Sequence, residues 1–319
     1  MNIPADPSTW RIGLVGYGEV GRILAEDLRA RGQAEVIAYD VKLGDAAAAQ
    51  TQTQTPSQSQ SQMIEHARKH GVRLATSHAA LATDADLIVS AVTASQAVAV
   101  AQACAPAIRP GTWFLDFNSA SPGAKIGAAG LIDAAGGRYV EGAVMTSIPP
   151  YRIRVPLLLG GVHATALMPM LTALGFDAKL GSETLGVASA TKMCRSVMIK
   201  GLEAMVIESF TAARHYGVED QVLASLAETF PGIDWEKQGA YFFQRVVQHG
   251  RRRAEEMRES AQTVREAGLE PWSAAGTAER QAWVADLADA GAMGDRNAPR
   301  TDWRADADRI LAAVGKVPG

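Results

Sequence analysis

Apolar positions in the first half of the chain fall into two alternating textures. Short continuous runs read as buried strands: Ile12–Val15, Glu35–Tyr39, Leu87–Val92, Trp113–Phe117 and Arg138–Glu141. Between them the apolar residues recur at helical spacing, as with Val20, Ile23, Leu24 and Leu28, and again over 63–70, 96–105, 123–135 and 164–174. Gly71 ends the second of these, and Gly160 and Gly161 close a further apolar run, Val155–Leu159. A last short strand is expected at Ala178–Leu180. Strand–helix alternation of this kind predicts a mostly parallel α/β sheet.

From Leu185 the texture changes. Helical patterns follow one another over 186–216, 219–229, 234–248, 250–268, 273–290 and 302–314, with little strand character. Two domains are therefore expected: an α/β domain over 1–183 and an all-α domain over 184–319. One segment breaks the first pattern. Residues 46–62 read AAAAQTQTQTPSQSQSQ, a low-complexity run that buries no core and is expected to be a mobile surface insertion.

Composition narrows the function. The 319 residues carry 47% apolar and 20% charged side chains, a soluble globular balance, with a net charge of −3 that gives no reason to expect nucleic acid or an anionic membrane. Arg251–Arg253 are followed at once by Glu255 and Glu256 and read as a solvated helix face. Cys104 and Cys194 are the two cysteines, too few for a disulfide framework. Neither a signal peptide nor a membrane span is visible, so a cytoplasmic location is expected. His66 and His70 stand four apart on a helix, but no third ligand accompanies them in the sequence; they read as solvated helix histidines, and no metal is expected.

Gly16-Tyr17-Gly18-Glu19-Val20-Gly21 matches GxGxxG. The motif is weak alone, but here it follows a strand, opens a helix, and precedes a second strand ending in Asp40. The first glycine permits the tight turn, the second admits a pyrophosphate, and the third lets helix and strand pack; the helix N-terminus offers N–H groups to the phosphates. The fold class is thus a doubly wound Rossmann domain followed by helices. Asp40 accepts hydrogen bonds from ribose hydroxyls and repels a 2′-phosphate, which favours NAD; Lys42 offsets that repulsion, so NADP stays open. Val92 and Thr93, at the end of the Leu87–Val92 strand, are placed to line the nucleotide.

Two polar segments carry the candidate chemistry. Ser189, Lys192, Arg195 and Ser196 share one face of a helix, facing either solvent or a cleft. Asp116-Phe117-Asn118-Ser119-Ala120-Ser121-Pro122 follows a strand, at the sheet edge where such folds bind ligands, while Ser121 and Pro122 also suit an ordinary helix start.

With these motifs in hand the chain resembles the β-hydroxyacid dehydrogenases, the group that contains 3-hydroxyisobutyrate dehydrogenase and 6-phosphogluconate dehydrogenase. The likeness rests on GLVGYGEVG at 13–21, DFNSASP at 116–122, VEGAVMTS at 140–147 and LGVASATKMC at 185–194. The helical half, with RRRAEEMRES and TVREAGLEP, resembles an uncharacterised bacterial subgroup. The resemblance implies that Lys192 is the general acid/base, that Asn118 and Ser119 hold the substrate carboxylate or hydroxyl, that Met145, Thr146, Ser147, Arg195 and Ser196 line the substrate, and that the protein is a homodimer acting on a small hydroxy acid. Arg195 and Lys200, as like charges, are expected to favour the neutral form of Lys192. His249 and Arg252 lie where the family brings a basic residue towards the cofactor.

The chain also departs from the family pattern. Met145-Thr146-Ser147 replaces Ser-Gly-Gly, Ala188 replaces a glycine, and Arg195 and Ser196 stand where the family has Asn or His-Asn. These changes point away from the family's usual substrates. Imine reduction on the same scaffold and a non-catalytic NAD-responsive binding protein are the competing readings.

Overall fold

The computed structural model describes residues 3–43 and 57–315, divided into two compact units, Met1–Lys192 and Met193–Gly319. In the first, eight strands form one sheet: β1 Arg11–Val15, β2 Glu35–Tyr39, β3 Arg73–Leu74, β4 Leu87–Ser90, β5 Trp113–Asp116, β6 Arg138–Val144, β7 Leu157–Gly160 and β8 Ala178–Ser182. Their spatial order is β3-β2-β1-β4-β5-β6-β7-β8. All neighbours are parallel except β6 and β7, which run antiparallel. This is the doubly wound order, in which the chain reverses direction across the sheet between β1 and β4.

Helices cover both faces: α1 Glu19–Ala30, α2 Gln58–His70, α3 His78–Asp84, α4 Ala97–Cys104, α5 Pro122–Ala134 and α6 Ala164–Leu174. One face buries Leu14, Leu24, Leu28, Leu115 and Leu167; the other buries Ile37, Leu81, Ile88, Phe114 and Ile132. Because alternate strand residues point to opposite faces, runs such as Leu87–Ser90 are buried throughout.

The sequence reading missed β3 and α3 and ended β6 three residues early. Within the low-complexity run, residues 46–56 lie outside the described residues, while residues 57–62 depart from the expected insertion. Ser57 is an N-cap whose Oγ accepts from Gln60 N, and Gln60 Oε1 accepts from Ser57 N, so α2 begins at Gln58 rather than Met63. A Ser-x-x-Gln box satisfies two otherwise unpaired donors, and this outweighs the weak helix propensity of the polar run.

A 30-residue helix, α7 Val187–Tyr216, starts in the first unit and continues into the second. The second unit adds α8 Glu219–Thr229, α9 Trp235–Glu266, α10 Trp272–Asp289 and α11 Trp303–Val314. Its core gathers Phe210, Phe243, Val246, Val284 and Trp303. The two helices expected over 234–248 and 250–268 are one. Gly250, the apparent break, sits where a Cβ would lie 2.7 Å from the carbonyl oxygen of Gln281, so it serves close packing of α9 on α10. Arg251–Arg253 is not wholly a solvated face either. Arg253 is buried, and its Nε donates to Glu203 Oε2 at 3.0 Å. Among the described residues, no helix is long and apolar enough to cross a membrane.

Candidate active site

The carboxyl ends of β1, β2, β4, β5 and β6 bring the glycine turn, Asp40, Val92, Thr93, Asn118, Ser119, Met145, Thr146 and Ser147 to one edge of the sheet. At β1, the backbone of Gly16 has φ +92°, and a Cβ there would lie 2.3 Å from Ala91 O. A Cβ on Gly21 would lie 2.0 Å from Gly16 O, whereas one on Gly18 meets no atom within 4 Å. The first and third glycines are thus demanded by packing. The second leaves open the space that the turn needs for a close-approaching pyrophosphate, with Glu19 and Val20 opening the helix behind it. These residues fit a dinucleotide.

Asp40 is tied to the same turn. Its Oδ2 accepts from Tyr17 N at 2.9 Å and its Oδ1 from Lys42 N at 3.0 Å. Tyr17 is fully buried, so its side chain packs inward rather than towards a ligand. Burial raises its phenol well above the usual value, and it stays protonated. Its hydroxyl instead meets His66 Nδ1 at 2.8 Å.

Asn118 is engaged internally. Its Oδ1 accepts from Val92 N at 2.7 Å, and its Nδ2 donates to Ser90 Oγ at 2.9 Å. It joins the ends of β4 and β5 and so shapes the edge from within. Thr93 is exposed beside it. Met145 and Ser147 are half-buried and Thr146 is exposed, just past the end of β6.

Ser119 is different. Lys192 Nζ donates to Ser119 Oγ at 2.5 Å, bringing together two residues 73 positions apart. Both are half-buried. Arg195 and Ser196 stand three and four residues further along α7, where Arg195 is exposed and Ser196 buried. Lys200 does not act as the free like charge expected for it. It is buried and its Nζ lies 2.6 Å from Glu256 Oε2, so its charge is matched locally. His249 is half-buried on α9; burial and then Arg245, Arg252 and Arg253 lower its pKa to about 4, so it is neutral near pH 7.

Two supports of the Lys192–Ser119 pair escaped sequence reasoning. The first is Glu141 on β6, fully buried. Its Oε1 accepts from Gly186 N at 2.8 Å and Ala188 N at 3.2 Å, and its Oε2 from Ser189 N at 3.3 Å. One carboxylate thus satisfies the unpaired N–H groups that open α7 and complements its dipole. The second is the buried cluster under Asn118. Lys125 Nζ lies 3.0 Å from Asp116 Oδ1, Tyr139 Oη donates to Asp116 Oδ2 at 2.7 Å, and Asn118 N donates to Asp116 Oδ1 at 2.9 Å. Burial first, then the Asp116 charge, hold the Tyr139 phenol protonated. The available signal was a lone charge in an apolar stretch: Glu141 in YVEGAV, and Lys125 in PGAKIGAAGL.

Similarity to known proteins reaches into both units. Residues 11–147 match the family described as the NAD binding domain of 6-phosphogluconate dehydrogenase, and residues 213–284 match a domain of unknown function, DUF1932. A conserved hypothetical protein of known structure from Sinorhizobium meliloti 1021 is 34% identical, covering 95% of this chain and 96% of that one, with a TM-score of 0.74. Conserved protein MTH1747, described as structurally similar to 3-hydroxyacid dehydrogenases, is 28% identical over 87% of this chain and 99% of its own, with a TM-score of 0.64. The 3-hydroxyisobutyrate dehydrogenase of Mycobacterium tuberculosis, solved with L-serine, shares the fold at 17% identity, 95% and 99% coverage and a TM-score of 0.63.

The fold and the glycine turn define an NAD(P)-binding protein built like the 3-hydroxyacid dehydrogenases. The chain belongs to the β-hydroxyacid dehydrogenase, 6-phosphogluconate dehydrogenase-like family, in a subgroup with its own C-terminal helical domain.

Proposed function

We propose that the protein is an NAD(P)-dependent dehydrogenase that interconverts a small β-hydroxy acid and its carbonyl form, with Lys192 as the general acid/base. The observation that supports this most is the 2.5 Å hydrogen bond between Lys192 Nζ and Ser119 Oγ, at the sheet edge that also carries the glycine turn. When bound, the nicotinamide supplies the hydride acceptor or donor. Gly16 to Gly21 would hold its pyrophosphate and Asp40 the adenosine ribose, with NAD the preferred form.

Lys192 takes the hydroxyl proton as the alcohol is oxidised and returns it in reduction. A substrate hydroxyl takes its place beside Nζ and Ser119 Oγ, so the serine orients the reacting oxygen. Asn118, locked to β4, keeps Ser119 in register. Met145, Thr146 and Ser147 border the same edge and set the shape of the acid accepted. Arg195, one turn beyond Lys192 on α7, is suited to a carboxylate through its planar donor fork. Exposed Met198, Met205 and Trp272 supply apolar surface for a homodimer.

The test is a panel of 3-hydroxy acids, including serine-like and unsubstituted members, followed through the absorbance of the reduced nicotinamide with each cofactor. Turnover of at least one acid supports the proposal. Cofactor binding without turnover on any alcohol, carbonyl or imine would favour a binding protein instead.

A further inference from the structure

Away from this edge, α1 and α2 bring together three ligating side chains that the sequence keeps apart. His66 and His70 are four residues apart on one face of α2, and Glu26 reaches them from α1. Glu26 Oε1 lies 2.9 Å from His66 Nε2 and 4.0 Å from His70 Nε2. One ligand atom from each residue lies within 4.8 Å of the others. Tetrahedral zinc, with ligand bonds of about 2.0–2.2 Å, separates its ligand atoms by roughly 3.4 Å, so small side-chain rotations suffice. The two imidazoles are stacked, their ring centroids 4.5 Å apart, so a rotation of the rings is needed to turn both lone pairs onto one ion.

We propose that Glu26, His66 and His70 bind one divalent transition-metal ion of the zinc class. The ligand set of two nitrogens and one carboxylate oxygen suits that class rather than calcium or magnesium, which take oxygen ligands. The surrounding contacts match what such sites require. Tyr17 Oη sits 2.8 Å from His66 Nδ1, so the tautomer with the proton on Nδ1 donates to Tyr17 and directs Nε2 at the ion. Arg152 Nη2 holds the other Glu26 oxygen at 2.6 Å, leaving Oε1 to the metal. The side chains of His66, His70 and Glu26 are 13%, 26% and 32% exposed, so an ion and a fourth ligand from solvent can enter. Through Tyr17, whose N–H is held by Asp40, the ion would brace α2 against the cofactor turn.

Untagged protein is titrated with Zn²⁺ by calorimetry, and with Co²⁺ by visible absorption. One ion per chain and a cobalt band of low-coordinate type are expected. His70→Ala is the decisive variant, because it removes a ligand while keeping the Tyr17–His66–Glu26 hydrogen bonds. It should weaken zinc binding at least about tenfold and abolish the zinc-induced rise in the thermal midpoint, with an unchanged circular dichroism spectrum. Glu26→Gln should weaken binding likewise. Absence of stoichiometric binding, or binding untouched by both variants, would overturn the site and leave these residues as a hydrogen-bonded clamp.

Discussion

The Glu141 carboxylate accepts the backbone N–H of Gly186 at 2.8 Å, and this joins strand β6 to the start of the helix that carries Lys192. Lys192 stands three residues beyond Ser189, the last N–H held by Glu141, and so less than one turn of helix away. The position of the lysine is therefore set by a buried acid on the sheet rather than by its own surroundings alone.

Glu141→Ala leaves three buried N–H groups unpaired. We expect a loss of about 3 kcal/mol, read by urea unfolding, together with a fall in kcat that exceeds any rise in KM. Glu141→Gln keeps an acceptor and should lose less of both. If Glu141→Ala unfolded at the wild-type urea concentration, the capping role would be wrong.

Lys125→Met removes the cation from a buried pair and strands Asp116 beside Tyr139. A loss of about 3–5 kcal/mol is expected. Replacing Asp116 by Asn in the same chain should recover part of that loss, since the uncompensated charge is then gone. Urea midpoints of the single and double variants measure this; equal midpoints would show that the pair is not the source.

The proposed place of Asp40 at the adenosine ribose bears on cofactor choice. Its carboxylate opposes a 2′-phosphate, so the wild-type protein should bind NADH more tightly than NADPH, and Asp40→Ser should shift the affinity ratio towards NADPH by roughly tenfold or more. Fluorescence titration of both reduced cofactors reads the ratio directly. A ratio unmoved by the substitution would mean that the acid serves only to hold the backbone N–H groups of Tyr17 and Lys42.

His249 gives a pH signature. Burial, then neighbouring arginines, lower its folded pKa to about 4 from an ordinary 6.5. Between those values the unfolded chain binds more protons than the folded one, so stability rises with pH and is lost as pH falls from 6.5 to 4. Thermal midpoints across that window should drop more steeply for the wild type than for His249→Gln. Parallel curves would contradict the assignment.

Much of this was legible in the sequence because strand runs and helical spacing are local signals. The glycine turn was legible too, since its spacing between a strand and a helix marks it, although the demand on Gly16 comes from Ala91 on the neighbouring strand's end. Lys192 was singled out by a shared helix face and a family motif, yet its partner Ser119 had to be found in space. What stayed hidden was pairing across long separations. Glu141 reads as one acid in a strand and Arg253 as part of a solvated run, because nothing local marks their partners. Asn118 was read as a substrate contact, and its two bonds to Ser90 and Val92 could be seen only once β4 and β5 were adjacent.

In the proposed reaction Lys192 exchanges the substrate proton. The most direct measurement is single-turnover hydride transfer in Lys192→Ala, with cofactor affinity measured on the same preparation. A fall in rate of about 10²–10⁴-fold, with cofactor affinity within about twofold of wild type, is the predicted result. Hydride transfer at the wild-type rate in a variant that still binds cofactor would contradict it.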